Sequence, residues 1–185
     1  MKSAPILVAA AAAGVLTFIT TRPAHALGPV DLEIGAKAGV ATNPSTGGGD
    51  NPMGFGVGGR AGISVLGFYG GGQIMYYFGS SQTVDSVSYS SHTLMYGVEG
   101  GYGFSVPVVG LLTIRPQVGI GNATFTESGG GVSDSKSNLY VEPGVTVLLS
   151  FFGWYVGADA NLLVFPGLDN SQIAVTIHGQ VGLKF

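Results

Sequence analysis

The chain has 185 residues, of which 45% are hydrophobic and only 9% are charged, far below the roughly 25–35% charged surface of a typical soluble domain, so part of the surface is predicted to face something other than water. Its apolar content excludes a disordered chain, and the absence of cysteine excludes a disulfide framework, a Cys-based metal site and a lipoprotein anchor. The formal net charge of -3 and the pI near 5.4 argue against binding to nucleic acid or to an anionic bilayer through a basic patch.

The N-terminal segment has the three parts of a secretory signal peptide. Lys2 supplies the positive charge, residues 6–19 form an apolar run rich in Ala, and Ala24-His25-Ala26 is a small-x-small cleavage site. The run is shorter than the roughly 20 residues that cross a bilayer as a helix, so we expect cleavage rather than a retained anchor. The predicted organisation is a cleaved signal peptide, residues 1–26, followed by one domain, residues 27–185.

From Val30 onward apolar and polar residues alternate with a period of two, and clusters of Gly, Ser, Asn, Asp and Pro interrupt the alternation. This pattern indicates strands separated by turns. In the first run Leu32 and Ile34 lie on one face, and Glu33 and Lys37 lie on the other. Seven further runs repeat the contrast, at residues 55–65, 74–78, 94–104, 112–120, 139–149, 154–162 and 173–185. These eight runs match the strands of a tilted membrane barrel in number and spacing.

The charges within these runs all lie on the Gly-rich face, and none lies on the apolar face. They are Asp31, Glu33, Lys37, Arg60, Glu99, Arg115, Glu142, Asp159 and Lys184. So few charges cannot solvate an outer wall, and glycine suits a narrow interior better than a water-facing wall. Aromatic residues also gather at both ends of the apolar face, as two interfacial girdles would: Phe68, Phe104, Phe152 and Trp154 near one set of turns, and Phe55, Tyr76, Phe78 and Tyr96 near the other. We therefore predict that the apolar face contacts lipid and the polar face lies inside.

The segments between the runs are of two kinds. Those around residues 66–68, 106–110 and 150–153 are short, whereas residues 42–53, 79–92, 123–138 and 165–171 are longer and polar. Short periplasmic turns and long external loops are typical of outer-membrane barrels, so we expect the long segments to contact an external ligand, which the sequence does not identify. Pro116 and Pro143 each remove a ladder hydrogen bond, which predicts a bulge in their strands.

The last run ends in a terminal aromatic residue. Its apolar face, with Ile177, Val181, Leu183 and Phe185, resembles the carboxy-terminal signal by which outer-membrane proteins engage the barrel assembly machinery. With the signal peptide and the eight strands, residues 30–185 resemble the small outer-membrane β-barrel family that includes opacity proteins, OmpX and the barrel domain of OmpA. The resemblance implies an all-β, eight-stranded antiparallel up-and-down transmembrane β-barrel in the bacterial outer membrane. We expect a monomer whose partners are outer-membrane lipid and the assembly machinery.

The interior of an eight-stranded barrel is just wide enough for its own side chains, so we expect no open pore. An unpaired internal charge would cost several kcal/mol, which predicts a network that neutralises itself. Strand neighbours suggest that Arg115 pairs with Glu99 and Glu142, and Asp159 with His178. The predicted interior network comprises Glu33, Lys37, Arg60, Glu99, Arg115, Glu142, Asp159 and His178. The alternative is a narrow conduit of the OmpW type for small or hydrophobic solutes, or a proton path.

A lipid A-modifying barrel enzyme is a further alternative, since it would need a His with a Ser nucleophile or an acid partner at the outer rim. His92 follows Ser90 and Ser91 in a predicted external loop, and His178 lies on the polar face near Asp159. Neither forms a His-x-Ser pair with a positioned acid. We expect no catalytic residue, no cofactor and no metal site. A soluble periplasmic binding barrel would require the two faces to be reversed.

Overall fold

The computed structural model describes residues 30–44, 51–84, 87–106, 111–167 and 172–185. The predicted cleavage site after Ala26 lies outside the described residues. No described segment is an apolar helix of a length that could span a bilayer.

The described chain is built from strands connected in sequence order. They are β1 (Val30–Ala41), β2 (Gly54–Val65), β3 (Phe68–Val84), β4 (Val87–Tyr102), β5 (Phe104–Ser105), β6 (Leu112–Gly129), β7 (Val132–Phe151), β8 (Trp154–Phe165) and β9 (Gln172–Lys184). The two-residue β5 continues β4 beyond Gly103, and both pair with β6. The wall therefore has eight strands.

Every strand pairs antiparallel with its neighbours, and pairing of β1 with β9 and of β4 with β6 closes the sheet. Following the paired residues once around the wall leads from Val30 to Val40 of the same strand, a stagger of about ten residues. For eight strands this stagger corresponds to a tilt of roughly 40°. The fold is the predicted closed up-and-down barrel.

The assignment of the two faces is confirmed. On β1 Ile34 and Val40 are 49% and 54% exposed on the outside, whereas Glu33 and Lys37 are buried inside. The same alternation runs through β2, β6, β8 and β9, because successive side chains of a strand point to opposite faces. The wall is thus apolar outside and polar inside, which rules out the alternative of a soluble barrel with an apolar interior.

Outward-facing aromatic side chains form contacts at both ends of the wall. At the short-turn end the rings of Phe68 and Phe104 each lie 4.8 Å from Tyr102. At the other end Phe78 contacts Phe55 and Tyr76, with ring centroids 6.3 and 5.0 Å apart. These two girdles mark the ends of the lipid-facing band.

Two of the segments expected to be long loops are instead extensions of the wall. β6 and β7, of 18 and 20 residues, remain paired to their tips and are joined by Gly130 and Gly131. Both glycines have positive φ, 58° and 83°, as the central residues of a tight hairpin turn require. β3 and β4 likewise extend to Val84 and from Val87. The sequence conceals these extensions because few of their residues are apolar, so neither face shows a sustained apolar period.

The prediction of bulges at the prolines is wrong. Pro116 pairs with Val145 and Pro143 with Val118 in an unbroken register. Both prolines lie on the outward face. On the side of the neighbouring strand, β4 with β5 for Pro116 and β8 for Pro143, the pairing is interrupted at the proline and resumes with no extra residue in either strand. The register shift lies in β3 instead, between Phe78 and Ser81. A closed barrel fixes the register on both sides of a strand, so the ladder loses a bond rather than gaining a residue.

Glycines on the inner face make room for tyrosine rings. A Cβ on Gly35 would collide with the Tyr155 hydroxyl and lie 2.9 Å from the carbonyl oxygen of Val181. The same relation links Tyr69 with Gly62 and Gly71, and Tyr140 with Gly97 and Gly121. The interior is therefore close-packed, and these positions must be glycine because a Cβ atom would collide with the neighbouring tyrosine ring.

This packing predicts that Gly35→Ala destabilises the barrel by about 1–3 kcal/mol, the usual cost of overpacking. The matched control is Gly70→Ala, because a Cβ on Gly70 meets nothing within 4 Å. Unfolding in urea of the barrel refolded into vesicles measures both. Equal stability of the two variants would contradict the packing argument.

Candidate functional site

The inward side chains fill the lumen in layers, and the layer nearest the short turns contains an ion pair that crosses it. Arg115 on β6 donates from Nη1 and Nη2 to Oε2 and Oε1 of Glu33 on β1, at 2.9 and 2.6 Å. Ser64 donates a further bond to Glu33, 2.9 Å long. Because β1 and β6 are not neighbours in the sheet, this two-point contact joins distant parts of the wall.

A second ion pair of this layer is built around a tyrosine. Nε of Arg60 lies 3.1 Å from Oε1 of Glu99, and the Tyr69 hydroxyl donates to the same oxygen at 2.9 Å. The guanidinium carbons of Arg60 and Arg115 lie 4.5 and 4.2 Å from the centroid of the Tyr69 ring. Cation–π contacts of this kind are strongest where water is excluded. Tyr69 thereby links the two ion pairs into one unit.

The middle layer of the lumen is centred on Asp159. Lys37 Nζ lies 3.2 Å from Oδ2 of Asp159, and Asn161 donates to Oδ1 at 2.7 Å. His178, the register partner of Asp159, places Nδ1 2.7 Å from Oδ1, and its Nε2 lies 2.7 Å from the Tyr77 hydroxyl. The carboxylate therefore has a partner on each oxygen, as a buried carboxylate requires.

Glu142 enters this layer through an amide. Gln73 donates from Nε2 to Oε2 of Glu142 and accepts from Lys37 Nζ at 3.0 Å. Within the described part of the chain, no base lies at ion-pair distance from Glu142. Gln73 thus links the Glu142 carboxyl group to the ammonium group of Lys37.

The eight residues predicted for the interior network all lie in the lumen, each at most 5% exposed. Asp159 and His178 are in contact, as their strand neighbourhood suggested. Arg115 instead bonds to Glu33, contrary to the expected pairing with Glu99 and Glu142. The register places Gly119, not Arg115, opposite both of those acids. A long guanidinium side chain in a narrow lumen reaches beyond its neighbouring strands.

A third layer, toward the long-hairpin end, is apolar and was not predicted. Met53, Leu163 and Phe165 are fully buried there. The cluster comprises Ala41, Met53, Met75, Tyr77, Met95, Ala123, Tyr140, Leu163, Phe165 and Ala174, with Phe125 packed against it. The available signal was the pair Met75 and Met95 on an otherwise polar face. We call this cluster the apolar plug.

The segment before β2 holds Met53 in the plug. The side chain of Asn51 donates to the carbonyl oxygen of Ala41 at 3.1 Å, and Ser80 N donates to the Asn51 carbonyl at 2.9 Å. Thr93 Oγ1, on the inner face of β4, donates to the carbonyl of Pro52 at 2.7 Å. These bonds fold residues 51–53 inward over the mouth, which carries Met53 into the lumen.

Above the plug lies a groove of about 750 Å³ on the inner side of the long hairpins. Tyr89, Phe125, Glu127, Asp134 and Lys136 contribute to its lining. Both signs of charge and two aromatic rings therefore face this groove.

The remaining candidate residues lie apart from the lumen network. Lys184 pairs with Asp31 at 2.9 Å, and both side chains are about one-third exposed. His92 stacks on Tyr76 at the outer girdle, with ring centroids 5.4 Å apart. Among the described residues no three His, Asp or Glu side chains are grouped so as to hold a metal ion.

Comparison with known proteins agrees with this architecture. The N-terminal β-barrel domain of Pseudomonas aeruginosa OprF is similar in structure, with 16% identity, a TM-score of 0.58, and 84% of this chain and 97% of that chain covered. Neisserial surface protein A is similar with 13% identity and a TM-score of 0.59, and the match covers 85% of this chain and 98% of that chain. A major outer membrane protein of Thermus thermophilus is similar with 10% identity and a TM-score of 0.63, and the match covers 84% of this chain and 99% of that chain. At these identities the likeness shows the fold alone.

No curated protein sequence matches the chain. The family model described as "Outer membrane protein beta-barrel domain" matches residues 9–184. The match spans all the described strands, whose apolar wall and polar lumen suit a lipid environment. The chain therefore belongs to this family of outer-membrane β-barrels and is located in the bacterial outer membrane.

Proposed function

We propose that this outer-membrane barrel is sealed, and that it serves a structural or surface-interaction role through its external hairpins rather than as a diffusion pore. The observation that carries the proposal is the filling of the lumen: two polar layers and the apolar plug lie one above another. A conducting ion would have to displace buried side chains in all three layers.

The ion pairs give the polar layers their resistance to opening. Four acids (Glu33, Glu99, Glu142 and Asp159) face three bases (Lys37, Arg60 and Arg115) and His178, all of them buried. Removing one member of a buried pair leaves an uncompensated charge, at a cost of about 3–5 kcal/mol. The predicted interior network is therefore proposed as a brace that holds the barrel closed.

The apolar plug makes the narrow-conduit alternative less favourable. Its side chains exclude water at the mouth, and the bonds to Asn51 and Pro52 fix the segment that carries Met53. A conduit for hydrophobic solutes would require this segment to leave the mouth and break these bonds. The groove is lined by Phe125, which packs against the plug, and by Pro52, which precedes Met53.

Neither histidine supports a lipid A-modifying activity. His178 is 1% exposed inside the barrel, where its two ring nitrogens contact Asp159 and Tyr77. His92 faces outward but stacks on Tyr76, and among the described residues no carboxylate is bonded to it. We therefore assign no catalytic residue.

Export and assembly complete the proposal. We infer that residues 1–26 are removed as a signal peptide and that the mature barrel is a monomer. The C-terminal strand is proposed to engage the assembly machinery through Ile177, Val181, Leu183 and Phe185. Ile177, Val181 and Phe185 are exposed on the outer face of the wall, which supports the proposal because that face is available to a partner before insertion into lipid.

Planar-bilayer recording tests the sealed lumen. The wild-type barrel is expected to give no stable conductance steps, because the filled lumen offers ions no continuous water path. A general porin reconstituted in the same way provides the positive control. Reproducible steps from the wild type would overturn the proposal in favour of the conduit.

A double-mutant cycle tests the brace. Arg115→Met is expected to lower the free energy of unfolding by up to about 3–5 kcal/mol, because buried Glu33 loses its two-point partner and keeps only Arg60, whose Nη2 lies 4.0 Å from Oε2. Arg115→Met combined with Glu33→Gln should recover most of this loss. The control is Lys184→Met, whose partly exposed pair with Asp31 is worth about 1 kcal/mol or less. Urea unfolding in vesicles measures these variants together with Glu33→Gln alone, and an unchanged midpoint in Arg115→Met would contradict the structural role.

A further inference from the structure

The two faces of the β6–β7 hairpin beyond the lipid-facing band carry different chemistry. Its three charges, Glu127, Asp134 and Lys136, all lie on the inward face and line the groove at the mouth. The outward face has no charge and no large apolar side chain. Its residues are hydroxyl-bearing: Thr124, Thr126, Ser128, Ser133, Ser135 and Ser137.

These hydroxyl groups face one another in register across the two strands. Thr124 pairs with Ser137, Thr126 with Ser135, and Ser128 with Ser133. Their side-chain oxygens lie 2.8, 2.9 and 3.0 Å apart. Ser90 on β4 is the register partner of Ser128 and extends the array to a third strand. We call these seven residues the hydroxyl face.

The hydroxyl face continues the surface that contacts lipid. On β6 it follows Val118 and Ile120 on the same outward side, and on β7 it precedes Leu139. It begins beside the girdle that contains Tyr76 and Phe78. The layer that meets a protein surface directly outside the hydrocarbon of the outer leaflet is the headgroup layer, which in an outer membrane is rich in sugars.

The chemistry of the face distinguishes sugars from phosphates. Phosphate groups are bound best by Arg and Lys, and the one base of this hairpin extension, Lys136, lies on the opposite face. A hydroxyl group has one donor and two acceptor sites, so each bonded pair retains one donor and several acceptors. Sugar hydroxyl groups offer the same mixture of donors and acceptors.

We propose that the hydroxyl face is a contact surface for the core sugars of the outer-leaflet glycolipid, bound through hydroxyl groups rather than through phosphates. Ser90 and Ser128 also border the groove at the mouth, whereas Thr124, Thr126, Ser135 and Ser137 do not line it, so the inference tested on these four residues is independent of whether the barrel conducts. It requires only the outer-membrane location and the outward orientation of the hairpin.

The test compares the rate of unfolding in three vesicle compositions. They are phospholipid alone, phospholipid with lipid A, which has the acyl chains and phosphates but no core sugars, and phospholipid with lipopolysaccharide that carries them. The rate is measured at fixed temperature by loss of the compact form on gels. We expect the core sugars to slow unfolding of the wild type by about tenfold relative to lipid A, the effect of one or two net hydrogen bonds.

The variant removes four hydroxyl groups: Thr124→Val and Thr126→Val with Ser135→Ala and Ser137→Ala. Valine keeps the shape and strand preference of threonine, and unfolding in phospholipid alone verifies that the variant folds. The sugar-dependent slowing should be lost in this variant. It should persist in the control, Asp134→Asn with Lys136→Gln, which alters the opposite face of the same hairpin.

Three outcomes would overturn the inference. Equal slowing of the wild type by lipid A and by lipopolysaccharide would show that phosphates or acyl chains suffice. Retention of the sugar effect in the hydroxyl variant would place the contact elsewhere. Cross-linked dimers in phospholipid alone that disappear in the hydroxyl variant would show that the face binds a second copy of the chain.

Discussion

The structure depends on one constraint: the side chains that eight tilted strands enclose must satisfy one another, because the lumen has no room for bulk water. The chain meets it with ion pairs that cross the lumen. The Arg115–Glu33 contact joins β6 to β1, and Arg60 with Glu99 joins β2 to β4. Tyr69 contacts both guanidiniums and so makes the two pairs interdependent. The same lack of space explains the glycines beneath the tyrosine rings.

Much of the wall could be predicted because a strand alternates its side chains strictly. The inward position of Glu33 and Lys37 follows from this alternation alone, because both have odd residue numbers, as do the other inward residues of β1. The alternation does not determine which acid pairs with which base. That pairing depends on the stagger of the barrel and on the length of side chains that can reach across the lumen. Gly119 therefore occupies the position between Glu99 and Glu142 where Arg115 was expected.

Two further features were hidden for different physical reasons. The β6–β7 extension has a polar outward face, and its inward face mixes charged residues with Phe125, so its strands show no hydrophobic period. Met53 enters the plug from a connecting segment, and its position depends on bonds from Ser80 and Thr93, distant in sequence. Along the barrel axis the interior thus changes from charged layers to the apolar plug, and then to a groove lined by charged and aromatic residues. A sealed interior leaves the outer surfaces as the sites where the protein can meet other molecules.

The most direct test of the account is thiol accessibility, for which the chain is suited because it has no native cysteine. Thr146→Cys places a thiol in the lumen, Val118→Cys on the lipid-facing wall, and Ser133→Cys on the external hairpin. In folded barrels in vesicles, a charged maleimide should label the Ser133→Cys variant and leave the other two unlabelled until the barrel is unfolded. Labelling of the Thr146→Cys variant as fast as Ser133→Cys would show a water-filled lumen and contradict the account.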